Sequence, residues 1–251
     1  SDNIIHLVLA KLPDAPPGVK GISLFLIPKI LVNDDGSLGD RNGVTCVSIE
    51  EKMGVHGSPT CVLSFDDSVG YLVGEPHKGL EAMFSMMNNE RIAVGMQGLG
   101  VAEISYQNAL LYAKDRLQGR DLKGAKKPSE EADPLLVHPD IRRMLLRAKA
   151  LIDSSRMLSA WTALAIDKSV KDPDAKVRKA NHDLVELMTP IIKSILTDYG
   201  VEISSEMLQI FGGHGYIREY GMEQFYRDAR IAPIWEGTNG IQAMDLAGRN
   251  C

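Results

Sequence analysis

Residues 79–116 read GLEAMFSMMNNERIAVGMQGLGVAEISYQNALLYAKDR. Within this stretch Leu80, Met83, Met87, Ile92, Val94, Leu99, Val101, Ile104, Ala109 and Leu110 recur at helical spacing, which predicts one long helix with a core-facing stripe. The chain changes character here. Upstream, the runs IIHLVLAKL (4–12) and GISLFLI (21–27) are short, apolar, rich in β-branched residues and separated by Pro16-Pro17-Gly18, so they read as strands. Two more strands are predicted at 44–49 and 60–65, and a short edge strand at 70–73, while NDDGSLGDRN (33–42) reads as a polar loop. Strands with no helical period between them predict an antiparallel sheet or small barrel.

Downstream, residues 118–134 hold Gly119, Gly124, Pro128 and an acidic pair, and read as a loop open to motion. A second long helix is expected from Pro139 to Lys168, with the proline in its first turn. A third starts after Asp172-Pro173-Asp174. The pair Thr189-Pro190 predicts an interruption of that helix, because proline lacks the interior N–H and crowds the preceding turn, and Gly200 is a further soft point. The expected fold class is therefore α+β: a small antiparallel β-domain over residues 1–76, then an all-α bundle of long helices over 77–251.

A composition of 44% hydrophobic and 24% charged residues suits a folded domain and excludes disorder. Net charge is −5 with no long basic run, which argues against nucleic acid as a partner. No stretch approaches the roughly eighteen consecutive apolar residues of a membrane span. The first residues, SDNIIHLVLAKL, lack the charged region and cleavage site of a signal peptide. Cys46, Cys61 and Cys251 show neither metal-ligand nor disulfide-rich spacing, so reduced thiols and no metal are expected. Together these features predict a soluble protein of a bacterial-type cytoplasm or a mitochondrial matrix.

The chemistry concentrates between residues 207 and 250, MLQIFGGHGYIREYGMEQFYRDARIAPIWEGTNGIQAMDLAGRN. A helix should end at Gly212-Gly213, where glycine permits positive φ and close approach of another group. In the segment PIWEGTNG the carboxylate of Glu236 stands between Trp235 and Gly237. An apolar flank withholds water from a carboxylate and the glycine leaves its other side open, which are the surroundings of a general base. The alternative is an acidic residue at the start of the helix beginning near Thr238, favourable with the helix dipole. His214, set between glycines, reads as a turn residue.

The stretches QIFGGHGYIREY and RDARIAPIWEGTNGIQ resemble the carboxy-terminal signature of the acyl-CoA dehydrogenase family, and the likeness continues through EEKMGVHGSPTCVLSFDD, NNERIAVGMQGLGVAE and YAKDRLQGR in the family's order. Covering nearly the whole chain, it implies FAD-dependent α,β-dehydrogenation of an acyl-CoA thioester in fatty-acid β-oxidation, with a trans-2-enoyl-CoA product. Glu236 is implied as the base for the α-proton and FAD as the acceptor of the β-hydride. Trp235 stands where relatives commonly have tyrosine and implies an aromatic wall of the acyl pocket. The resemblance further implies Arg116 and Gln118 on the flavin diphosphate across a subunit interface, Gln209 and Gly213 at its adenine-dinucleotide end, and Thr238 beside the diphosphate. Relatives often carry a bulky aromatic before the glycine of LQGR, and some carry a contacting side chain where this chain has Gly240.

Arg91 matches an arginine near the coenzyme A moiety; a surface pairing with Glu90 is the other reading. A homodimer or homotetramer and an electron-transfer flavoprotein are the implied partners. The family's helical amino-terminal domain and early middle-domain strands have no counterpart here, so the chain looks like a carboxy-terminal fragment, expected to be inactive alone. Two other functions are consistent with the residues: an acyl-CoA oxidase, which shares the base, and a non-catalytic helical oligomerisation module.

Overall fold

The computed structural model describes residues 2–249. Two units are distinguished, the first ending at Asn89 and the second beginning at Glu90.

The first unit is built from antiparallel strands. Strand β1 (Ile5–Lys11) pairs with β2 (Ile22–Pro28) from Ile5 opposite Pro28 to Lys11 opposite Ile22, and β7 (Tyr71–Val73) closes the other side of β2. Being central, β2 carries the buried residues Ser23, Leu24 and Ile27. A second pair joins β5 (Val44–Ile49) to β6 (Cys61–Phe65). The expected loop at 33–42 is only partly a loop. Strands β3 (Ile30–Val32) and β4 (Leu38–Arg41) form a hairpin there, its turn held by Gly36 at φ 84° and by Ser37, whose N–H and hydroxyl both donate to the Asp35 carboxylate. Turn-forming composition marked the tip correctly but hid the returning strand, whose LGDR sequence has no β-branched residue.

Asn42 links these small sheets. Its Nδ2 donates to the carbonyls of Pro28 (2.8 Å) and Val69 (2.9 Å), and its Oδ1 accepts from the N–H groups of Val69 and Gly43. At 5% exposure this side chain satisfies backbone groups that no ladder reaches.

Helix α1 (Gly79–Asp115) contains the boundary between the units. From Arg91 onward its buried positions are 91, 94, 95, 98, 99, 102, 105, 109 and 113, a single face at helical spacing. Much of that face is small: Gly95, Gly98, Ala102, Ser105, Ala109 and Ala113, whereas the apolar Ile104 lies outside. Small residues let the backbone of α3 (Ala175–Ile210) come close. A Cβ on Gly98 would lie 2.3 Å from the Leu196 carbonyl oxygen, and one on Gly200 would lie 2.9 Å from the Gly98 Cα. Gly200 is therefore a helix-crossing position and no soft point.

Helix α2 (Pro139–Lys171) starts with proline in its first turn and packs along α3, which Asp174 caps by accepting from the Lys176 N–H at 2.8 Å. Contrary to the expected interruption, α3 runs unbroken through Pro190. Met188, Thr189 and Pro190 are all buried there, so tertiary packing overrides the missing hydrogen bond. The core of this unit gathers Leu99, Met144, Ile152, Ile192, Leu196, Ile203 and Met207. Beyond α3 come two turns of 3-10 helix, then α4 (Met222–Ala229) and α5 (Asn239–Arg249). No described helix is long and apolar enough to cross a membrane.

The expected loop at 118–134 is irregular but not loose. The fully buried Asp133 carboxylate accepts from the N–H groups of Asp121 (3.0 Å), Lys126 (2.9 Å) and Lys127 (2.7 Å), and Arg120 reaches it at 3.5 Å.

Candidate active site

The segment joining α4 to α5 holds Glu236 in a backbone conformation that an L-residue rarely adopts. Its φ is 54°, and Gly237 follows at 89°. A left-handed non-glycine residue costs on the order of 1–3 kcal/mol and persists only where its surroundings over-determine it. Here they do, through main-chain carbonyls. The Glu236 carbonyl accepts from Arg91 Nε (3.3 Å) and Gln242 Nε2 (3.2 Å), and the Gly237 carbonyl accepts from Lys193 Nζ (2.8 Å) and the same Gln242 amide (3.2 Å). The positive φ of Gly237 favours glycine, and a Cβ there would lie 2.7 Å from Gln242 Nε2, so the amide that bonds both carbonyls would have to shift. The loop is completed by the Asn239 N–H, which donates to the Pro233 carbonyl at 3.1 Å.

Those three clamping side chains are all interior: Arg91 is 6% exposed, Lys193 and Gln242 are 0%. The α1–α3 crossing puts Arg91 and Lys193 there, while Gln242 comes from α5. Arg91 lies one turn before Gly95, whose Cβ would meet Ile192, the residue preceding Lys193. The second nitrogen of Arg91 pairs with Asp245 on α5 at 3.0 Å. The bonds these side chains make go to the loop's backbone or to Asp245 and Asn239, and none goes to the Glu236 carboxylate, which makes no hydrogen bond or ion pair among the described residues. The half-buried Trp235 keeps its indole N–H out of solvent and without a hydrogen-bond partner among the described residues.

Of the residues expected at the site, Arg91, Trp235, Glu236 and Thr238 are thus brought together. The surface pairing of Arg91 with Glu90 does not occur, because the guanidinium points inward to α5 and the loop. Arg116, Gln118, Gln209 and Gly213 belong to a second group, set by the ends of α1 and α3. Arg116 is exposed and lines an open groove of about 770 Å³ with Asn108, Tyr112, Lys114 and Phe211. Tyr112 stacks on Phe211 with ring centroids 4.0 Å apart, and its hydroxyl bonds His214 at 2.9 Å; His214 in turn stacks on Tyr220. The histidine therefore secures the turn, as its glycine neighbours suggested. Gln209 and Gly213 are exposed beside Phe211, and a Cβ on Gly212 or Gly213 would meet nothing within 4 Å. Gln118 is exposed, with its carbonyl accepting from His138 at 2.7 Å.

Lys193, Gln242, Asn239 and Asp245 escaped sequence reading. Lys193 did leave a signal: it interrupts the apolar run PIIKSIL inside a helix, where a lone cation needs a partner. Burial pushes its ammonium down to about 8, against the favourable field of Asp198 and Glu236. Among the described residues no cluster of histidine, cysteine or carboxylate side chains has metal-binding geometry. Cys46 and Cys61 are free thiols; Cys251 lies outside the described residues.

Residues 77–250 match the family model of the acyl-CoA dehydrogenase C-terminal domain. The chain is 49% identical over 249 residues to a 3-methylmercaptopropionyl-CoA dehydrogenase of Ruegeria pomeroyi, an alignment covering 99% of this chain and 42% of the relative. Among solved structures it resembles butyryl-CoA dehydrogenase of Megasphaera elsdenii (TM-score 0.75, 29% identity, 98% of this chain and 56% of that one). It also resembles an acyl-CoA dehydrogenase of Bacillus anthracis complexed with FAD (TM-score 0.78, 25% identity, 98% and 39%). The chain thus spans 42% of the length of that curated relative.

Proposed function

The chain belongs to the acyl-CoA dehydrogenase family, and from that premise we propose that Glu236 is the base that removes the α-proton of an acyl-CoA thioester, leading to the trans-2-enoyl-CoA. The observation that carries this reading is the division of labour in the loop: three buried side chains hold the backbone of residues 236 and 237, and the carboxylate is left free. An α-proton is poorly acidic, and a base whose backbone is already immobilised loses little freedom on meeting it. Trp235 forms an aromatic wall beside the acyl group. Arg91 stays in the site but serves the base loop, since its Nε and Nη1 are engaged with Glu236 and Asp245.

FAD supplies what no side chain can, acceptance of the β-hydride. The residues present fit such a dinucleotide. Arg116 and Lys114 offer cations beside an open groove, and Gly212 and Gly213 offer bare backbone with empty space in front of it. Gln209 stands exposed alongside, and the exposed Thr238 heads α5, whose N-terminal dipole favours an anionic group. Gln118 completes the set.

The test is Glu236→Gln in the flavin-loaded protein, followed by stopped-flow bleaching of the flavin at saturating acyl-CoA. Glutamine keeps the size and the clamped backbone but accepts no proton, so reduction slows by about 10²–10⁴-fold while affinity changes little. Reduction at near-native rate would falsify the assignment.

The same reading includes self-association and an electron-transfer flavoprotein as acceptor. Self-association is supported by Leu146, Met157, Trp161 and Leu164, which lie exposed along one stripe of α2, an apolar face suited to a second copy. Sedimentation at micromolar concentration is the measurement; a monomer throughout would exclude it.

A further inference from the structure

We propose that Lys193 is the positioning residue of the Glu236 base: by bonding the Gly237 carbonyl and the Asn239 side chain it sets the left-handed turn from which the carboxylate projects. The inference rests on the reading of Glu236 as the base.

Lys193 is 0% exposed on a stretch of α3 where Ile192 and Leu196 are also buried. A buried ammonium is costly, and apolar packing gives no reason for one. Its nitrogen donates to the Gly237 carbonyl at 2.8 Å and to Asn239 Oδ1 at 2.9 Å, so a single group grips both ends of the link between the base and α5. Asn239 is itself fixed to α3, since its Nδ2 donates to Asp198 Oδ1 (2.7 Å), Thr197 Oγ1 (3.1 Å) and the Ser194 carbonyl (3.3 Å). The charged groups within electrostatic reach of the ammonium are Asp198, Arg91 and Glu236.

Without Lys193 the turn keeps Arg91 and Gln242, which bind the Glu236 carbonyl, so the backbone loosens but is not released. A displacement of about 1 Å at a reacting group costs about 10²-fold in rate. The effect belongs on proton removal, because Lys193 makes no contact that would recognise a substrate.

The experiment compares Lys193→Met with Glu236→Gln in the flavin-loaded protein. Methionine fills the space without donors. The expected result is flavin reduction slowed about 10²-fold at saturating acyl-CoA, with flavin content unchanged and the dissociation constant of a non-reducible acyl-CoA analogue within about threefold. A Lys193→Met protein that reduces its flavin within about threefold of the native rate, or whose defect lies wholly in affinity, overturns the proposal. Where Lys193→Met loses flavin or fails to fold, Asn239→Ala takes its place. That variant removes one end of the grip and leaves the lysine, slowing reduction about tenfold if the grip matters and not at all if it does not. A slow Glu236→Gln with a fast Lys193→Met refutes the positioning role alone; a fast Glu236→Gln refutes the base.

Discussion

Two irregular segments of the helical unit each gather on a buried charge, Asp133 in one and Lys193, beside the buried Arg91, in the other, and Asp133 and Lys193 are treated differently. Asp133 collects three backbone N–H groups and Arg120, and these overcome the cost of its burial to bring it down to about 2. Lys193 collects two neutral oxygens, and burial prevails, bringing it down to about 8. The first is an anion fully compensated by the chain it organises. The second is a cation left under-compensated, bonded to the carbonyl one residue after the free carboxylate of Glu236, the proposed base. A segment that must keep a fixed path tolerates full compensation, whereas a loop proposed to present a reactive group retains an unbalanced field.

The comparison breaks most visibly at Asp133. Asp133→Ala leaves three N–H groups pointing into an emptied interior and frees Arg120 from its carboxylate, so residues 120–131 should lose their fixed path. Limited proteolysis of that segment is expected to accelerate about tenfold or more, with the helices still protected. Cleavage at the native rate would mean the Arg120 bonds to the Lys127 and Glu130 carbonyls suffice.

Neither charge was read from the sequence, although much around them was. Periodicity located α1, Pro139 opened α2, the breaker Asp172-Pro173-Asp174 marked the start of α3, and β-branched runs located β1, β2, β5 and β6, because each is a local signal carried by adjacent residues. Glu236 drew notice through its Trp and Gly neighbours, which left a base and a helix-start residue both open, and its assignment as a base came from the resemblance. What stayed hidden depends on partners distant in the chain. Pro190 is tolerated because α3 is buried around it, and Gly200 faces Gly98 across a helix crossing. Lys193 acquires its meaning only from a carbonyl forty-four residues later. Arg91 was singled out by resemblance, but its inward aim depends on α5, which its own helix does not specify.

The comparison sharpens with pH at Lys193. Its ammonium titrates near 8 in the fold and near 10.5 when unfolded, so between those values the unfolded chain binds the additional proton. Stability from this group therefore rises with pH across that window, by at most about 1.4 kcal/mol per pH unit. Lys193→Met should lose that rise. The measurement is urea unfolding of both proteins from pH 7.5 to 10, taken as their difference so that other lysines and tyrosines cancel; parallel curves would show the ammonium is not held down.

Asp133 gives the smallest and narrowest effect, at the other end of the scale. Its carboxyl titrates at about 2 in the fold against 3.8 ordinarily. The native state binds fewer protons between those values, so the stability this carboxylate contributes is complete above pH 3.8 and is lost as pH falls through about 2. Although the sign of the slope matches that of Lys193, its meaning is reversed: acid removes a favourable interaction at Asp133, whereas alkali relieves an unfavourable one at Lys193. Asp133→Asn keeps the shape and one acceptor oxygen but cannot titrate. Its stability relative to the native protein should be lower at pH 6 and converge as pH is lowered towards 2, which urea titrations at pH 6, 4 and 2.5 can follow. A gap that stays constant over that range would show that the three N–H groups bind the neutral amide as well as the carboxylate, and the contrast between the two buried charges would then be one of geometry alone.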